Sequence, residues 1–338
     1  MFRPPEGEVA RRAGGGLLIP RRRRFRTLAD VADLLGLLET AFFRNGLRLG
    51  IVALGTGWAL RFVVGRYRPP LPIFGLFLTV VTVAALYLTA EPLGPAVPAL
   101  LVIVVAVLIA RLLRAPRWVQ PFAALPGAIW LAFGAPVTEF LWVRILMVVL
   151  IPLGGFLIVE FERRHDRMGL GVIFFTLAVL GMFAAVPDTE QALTIGAAAV
   201  PLTLLAWPKV AASVGIEGAY AAVAVFLFVA AAGGGSRPPS IVGSAACLGF
   251  LLLEPLIVAL RPKAVEMMSR VRRNWLGAVL ASIPQFVLVV ICSRIAARFS
   301  VMLPAVITIV VAYALAVGGA LYAVSRAPER AEVAPSPY

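Results

Sequence analysis

The chain has 338 residues, of which 61% are hydrophobic and 14% charged, and its mean hydropathy is +0.95. A water-soluble core of this length needs far more polar surface, so a soluble enzyme is excluded as the main architecture. The formal net charge of +14 does not point to nucleic acid, because most of the 31 basic residues flank apolar runs, where membrane orientation and anionic headgroups account for them.

Residues 1–27 hold Arg21, Arg22, Arg23, Arg24 and Arg26 beside a Gly- and Pro-rich stretch, and read as a disordered cytoplasmic tail that can meet anionic lipid headgroups. Residues 28–65 follow. Leu28 to Phe43 carries Asp30, Asp33 and Glu39 on a polar face, and 47–64 is interrupted by Arg48, Arg61 and several glycines. Basic residues on both sides of 47–64 cannot all be cytoplasmic after a single crossing. The segment therefore reads as interfacial, re-entrant or a hairpin, with an eleventh span as the alternative. No small-x-small cleavage site follows the first apolar run, so a cleavable secretory signal is not expected.

About 20 apolar residues are needed per helical span. The runs fall near 71–89, 95–112, 118–134, 138–160, 169–186, 189–207, 216–233, 241–260, 275–293 and 300–324. The fold class expected is all-α: a polytopic transmembrane bundle of ten spans within residues 66–325, or eleven with 47–64, followed by a disordered tail at 326–338. The run 118–134, with Pro121 and Pro126, could instead be re-entrant. No loop after residue 70 exceeds about fifteen residues, too short for a soluble catalytic domain.

Charge orients these runs. With 61–70 inside, one side collects 17 basic residues and the other only Arg237, Arg294 and Arg298, while Glu91, Glu139, Asp188 and Glu190 share that sparse side. The rule that Lys and Arg are retained in the cytoplasm then places both ends of the core inside, in a bacterial inner membrane. Ten spans divide into two sets of five, 71–186 and 189–324. An odd number per set makes the two antiparallel, the layout of inverted-repeat transporters.

Few polar groups lie within the runs. Glu254 precedes Pro255 and reads as a proton or cation carrier, or as a carboxyl bonded between helices. Arg144 cannot lose its charge and must find a carboxylate, a carbonyl, water or an anion, with Glu139 five residues away. Gln285, beside Pro284, bonds across helices or lines a cavity. Cys247 and Cys292 read as small core residues rather than redox or metal groups. No cofactor and no metal site is expected.

The outer string Val186-Pro187-Asp188-Thr189-Glu190 puts two carboxylates at i and i+2, fit either to cap the next helix or to hold a cation; Glu91 stands on the same side. With the Arg- and Ala-rich composition, this string resembles a group of uncharacterised integral membrane proteins of high-GC actinobacteria. The resemblance implies no activity and transfers no residue. The ten-span layout is similar to that of drug/metabolite transporters in architecture alone.

No H-E-x-x-H motif and no Walker A sequence is present, and the single His165 lies in a charged loop. Three functions stay open: a secondary transporter or lipid and envelope-precursor flippase using Glu254, Arg144 and Gln285; a non-catalytic membrane subunit docking a membrane-protein partner; and a transferase using Asp188, Glu190 or Glu91 on a lipid-linked substrate.

Overall fold

The computed structural model describes residues 41–63, 96–134, 138–164, 170–186, 195–200, 214–233, 237–260 and 275–326. All belong to the compact unit Thr40–Tyr338. Among the described residues the chain is helical and contains no strand. The full helices are α1 (Ala41–Val63), α2 (Ala96–Leu112), α3 (Val119–Gly134), α4 (Leu141–Arg164), α5 (Leu170–Ala185), α6 (Gly215–Gly233), α7 (Pro238–Leu260), α8 (Trp275–Ala297) and α9 (Met302–Arg326). Residues 195–200 are helical as well.

The helices follow the apolar runs because an apolar segment that cannot bond water satisfies its peptide groups only by closing them on itself. That demand overrides local propensity. Prolines 126, 152 and 284 therefore sit inside continuous helices, and α3 runs unbroken through Pro126. The α1 helix is likewise continuous, with Gly46, Gly50 and Ala53 buried on one face and Arg44 and Arg48 exposed.

Helix ends are fixed by named groups. Arg114 ends α2 in the left-handed region (φ 53°), and the Arg114 and Ala115 amides donate to the carbonyls of Arg111 and Ala110, each at 2.9 Å. This is a Schellman stop followed by Pro116, and an arginine where glycine is usual costs about 1 kcal/mol. At the start of α7, Pro238 and Pro239 need no amide partner, while the Arg237 carbonyl accepts from Ser240 and Ile241.

Among the described residues, three helical stretches are long and apolar enough to cross a membrane: Leu141–Glu160, Gly215–Gly233 and Met302–Gly319. Their surroundings differ sharply. The α6 stretch is 83% buried by its neighbours and the α9 stretch 17%. Alanine and glycine make up much of α6, and small side chains let α2, α4 and α7 close around it. The α7 helix touches α4, α5, α6, α8 and α9, so α6 and α7 form the centre. At the rim, Leu303, Ile307, Val310 and Leu315 of α9, like Ile145 and Val149 of α4, are exposed. An exposed apolar rim around an alanine-rich centre suits a hydrocarbon solvent.

Two close approaches hold neighbours together. A Cβ on Gly127 of α3 would lie 2.7 Å from the amide nitrogen of Ile103 and 2.8 Å from the carbonyl oxygen of Ala99, both backbone atoms of α2. One on Gly243 of α7 would lie 2.7 Å from the Ser293 carbonyl oxygen of α8. Around the second contact, the Cys247 thiol donates to Ser293 Oγ at 3.6 Å, and the Tyr313 hydroxyl of α9 donates to the Ala246 carbonyl.

Candidate functional site

The most enclosed charge among the described residues lies at the start of α6. Gly215 (φ 70°) turns the chain into the helix, and Glu217 follows in its first turn with a relative exposure of 8%. Arg111, in the last turn of α2 and 106 residues earlier, brings Nη1 to 3.0 Å from Oε1 and 3.2 Å from Oε2 of Glu217. One nitrogen thus serves both oxygens.

Both charges also face favourable helix ends, since a carboxylate suits a helix N-terminus and a guanidinium a C-terminus. Their exposure is unequal: the Arg111 side chain is 45% accessible and that of Glu217 11%. The arginine can therefore keep part of its hydration, whereas the glutamate depends on the pair.

One turn further along α6, Tyr220 is wholly buried, and its hydroxyl has no partner among the described residues. Gly155 of α4 makes room for its ring: a Cβ at 155 would overlap the ring atoms of Tyr220. In the first turn of α3, the amide oxygen of buried Gln120 is also unpartnered there, as is Ser244 Oγ on α7. A buried polar atom without a bond costs about 1–3 kcal/mol, a cost that water in the interior removes. Glu217, Tyr220 and Gln120 stand where α2 ends and α3 and α6 begin.

Of the residues singled out by sequence, Arg144, Gln285, Cys247 and Cys292 have described side chains. Arg144 is half-buried at the start of α4, where Nε and Nη2 donate to the Thr138 carbonyl at 2.9 and 2.6 Å. Its ligand is therefore a carbonyl of its own entry turn, while Glu139 points outward, exposed. Gln285 is half-buried on α8 next to exposed Pro284. Glu254 belongs to α7, but its side chain lies outside the described residues, as do Glu91, Asp188, Glu190, Arg21, Arg22, Arg23, Arg24 and Arg26. Cys247 is buried and Cys292 half-buried.

Sequence reading missed the Arg111–Glu217 pair. Arg111 had an adequate explanation as a topology signal, and Glu217 sits in Gly215-Ile216-Glu217-Gly218-Ala219-Tyr220, which passes as the polar fringe of an apolar run. Other carboxylates, Glu160, Glu162, Asp166 and Glu266, also fall on the expected Arg-rich side, so no local signal singled out Glu217. No protein-family model, curated protein or solved structure matches the chain.

Proposed function

We propose that the chain is a ten-span inner-membrane protein, N- and C-termini inside, acting as a secondary transporter or lipid and envelope-precursor flippase. The Arg111–Glu217 pair closes its path at the Arg-rich end. The observation carrying this reading is that the part-buried pair stands one turn along the central helix from the Tyr220 hydroxyl, which has no partner among the described residues. Hydroxyls without partners in an otherwise apolar interior favour a hydrated route over a dry scaffold.

The pair also supports the span count. If α3, α4 and α5 each cross, a chain leaving α2 at the Arg-rich end finishes α5 at the other end. Glu217 nevertheless meets Arg111, an observation that favours the further crossing expected for the run 189–207. The run expected at 71–89 lies outside the described residues. The inverted arrangement of two five-span sets belongs to the same proposal.

A gate joined by one pair makes a direct test. Purified protein in proteoliposomes holding an entrapped pH dye and a fluorescently labelled anionic lipid reports proton leak and lipid transbilayer movement. Glu217→Gln should raise one of these rates, and the exchange Arg111→Glu with Glu217→Arg should bring it back towards wild type. If neither proton nor lipid moves in wild type or variants, the reading fails.

A further inference from the structure

At the Arg-rich end of α3, an apolar groove of about 310 Å³ opens on the outer face of the bundle. It is lined by Pro121, Phe122 and Leu125 of α3 and by Val148, Pro152 and Phe156 of α4. From Val148 to Phe156 is roughly 12 Å of helix at 1.5 Å per residue. That is close to the depth of one leaflet, about half of a 30 Å hydrocarbon core.

Directly above the groove, the turn joining α2 to α3 carries Arg114 and Arg117, both exposed, and Trp118, which is 66% exposed. The ring of Trp118 meets that of Phe122 edge-on at 6.3 Å, linking the turn to the wall of the groove. Two carboxylates are described at this end: Glu217, which Arg111 engages, and half-buried Glu160 on α4, one turn beyond Phe156. Arg114 holds a left-handed conformation that glycine would adopt without strain, so the cation is kept there against the backbone's preference.

We infer that this surface is a specific seat for an anionic phospholipid of the leaflet at the Arg-rich end. Its phosphate meets Arg114 and Arg117, its glycerol lies at the level of Trp118, and one acyl chain fills the groove between α3 and α4. Exposed cations, an interfacial tryptophan and an open apolar slot of leaflet depth match the three parts of such a lipid in order. The inference requires only that the bundle lies in a bilayer, and not that anything is transported.

Native mass spectrometry of the full chain, titrated in detergent with dioleoyl phosphatidylglycerol and separately with dioleoyl phosphatidylcholine, reads the seat directly. Two cations near a headgroup should favour the anionic lipid by roughly tenfold or more. Arg114→Gly combined with Arg117→Gln should bring the two lipids to equal affinity, with Tm unchanged or raised because the glycine relieves the strained turn. Leu125→Trp should weaken both lipids by filling the groove. Phe122→Ser, at an exposed wall, should do so without disturbing the core. Equal affinity for the two lipids in wild type, a preference unmoved by the Arg114 and Arg117 changes, or displacement by inorganic phosphate alone would overturn the inference.

Discussion

At the scale of single residues, the pairing of Arg111 with Glu217 is asymmetric, and the asymmetry predicts unequal mutants. Removing Glu217 leaves an arginine that already reaches water, whereas removing Arg111 strands an enclosed carboxylate. Arg111→Leu should therefore destabilise the fold by about 2–3 kcal/mol and Glu217→Leu by roughly 1 kcal/mol or less, measured by denaturant titration in mixed micelles. Equal losses would mean that the carboxylate is better hydrated than its 8% exposure implies. The double replacement should leave a coupling energy of about 1 kcal/mol in a double-mutant cycle, reduced by the solvent that screens Arg111.

At the scale of helices, the proposed bilayer setting lets contacts between small residues replace the hydrophobic effect, which has no force between segments already in lipid. Gly127→Ala meets two backbone atoms of α2 that no rotamer change can move, so α2 and α3 must separate. Gly155→Val meets a ring that can tilt only into the packed α4–α6 interface. Each should lower stability by about 1–3 kcal/mol. Gly318→Ala, where nothing lies within 4 Å of an added Cβ, should not, and thermal unfolding in detergent compares all three.

Much of this scale was legible in the sequence. The runs 95–112, 118–134 and 216–233 match α2, α3 and α6 to within a residue, because one apolar stretch of suitable length dictates one helix. Which helix would be central was not legible. Hydropathy sees α6 and α9 as similar runs, yet burial separates them at 83% and 17%, and the difference comes from small side chains that only matter once neighbours are present. The site escaped for a related reason. Glu217 and Arg111 are 106 residues apart, and a pair formed across two helices leaves no local pattern. The sequence leaves Arg144 a carboxylate, a carbonyl, water or an anion as partner, and its entry turn supplies the Thr138 carbonyl.

At the scale of the whole molecule, the ends of the helices make a statement about sidedness. The α2–α3 turn and the start of α6 share one end; in the proposed arrangement of crossings the α6–α7 turn at Arg237 and the α8–α9 turn at Arg298 belong to the other. In a background with Cys247→Ala and Cys292→Ala, a membrane-impermeant maleimide applied to intact cells should label Arg237→Cys and Arg298→Cys. Arg114→Cys should react only after the membrane is opened. Labelling of Arg114→Cys and Arg237→Cys from the same face would remove the alternating arrangement of crossings.

The distance along the chain between Arg111 and Glu217 also sets a timetable for biogenesis. At a synthesis rate of about 5–20 residues per second, α2 leaves the ribosome roughly 5–20 s before its carboxylate does. Until then Arg111 has no Glu217 to pair with, and once α4 has emerged its face around Gly155 has no Tyr220 to cover it. The arrival of α6 closes both vacancies together. The late helix thus acts as a keystone, and a nascent chain halted before residue 215 would expose an open seam for quality-control proteases to recognise.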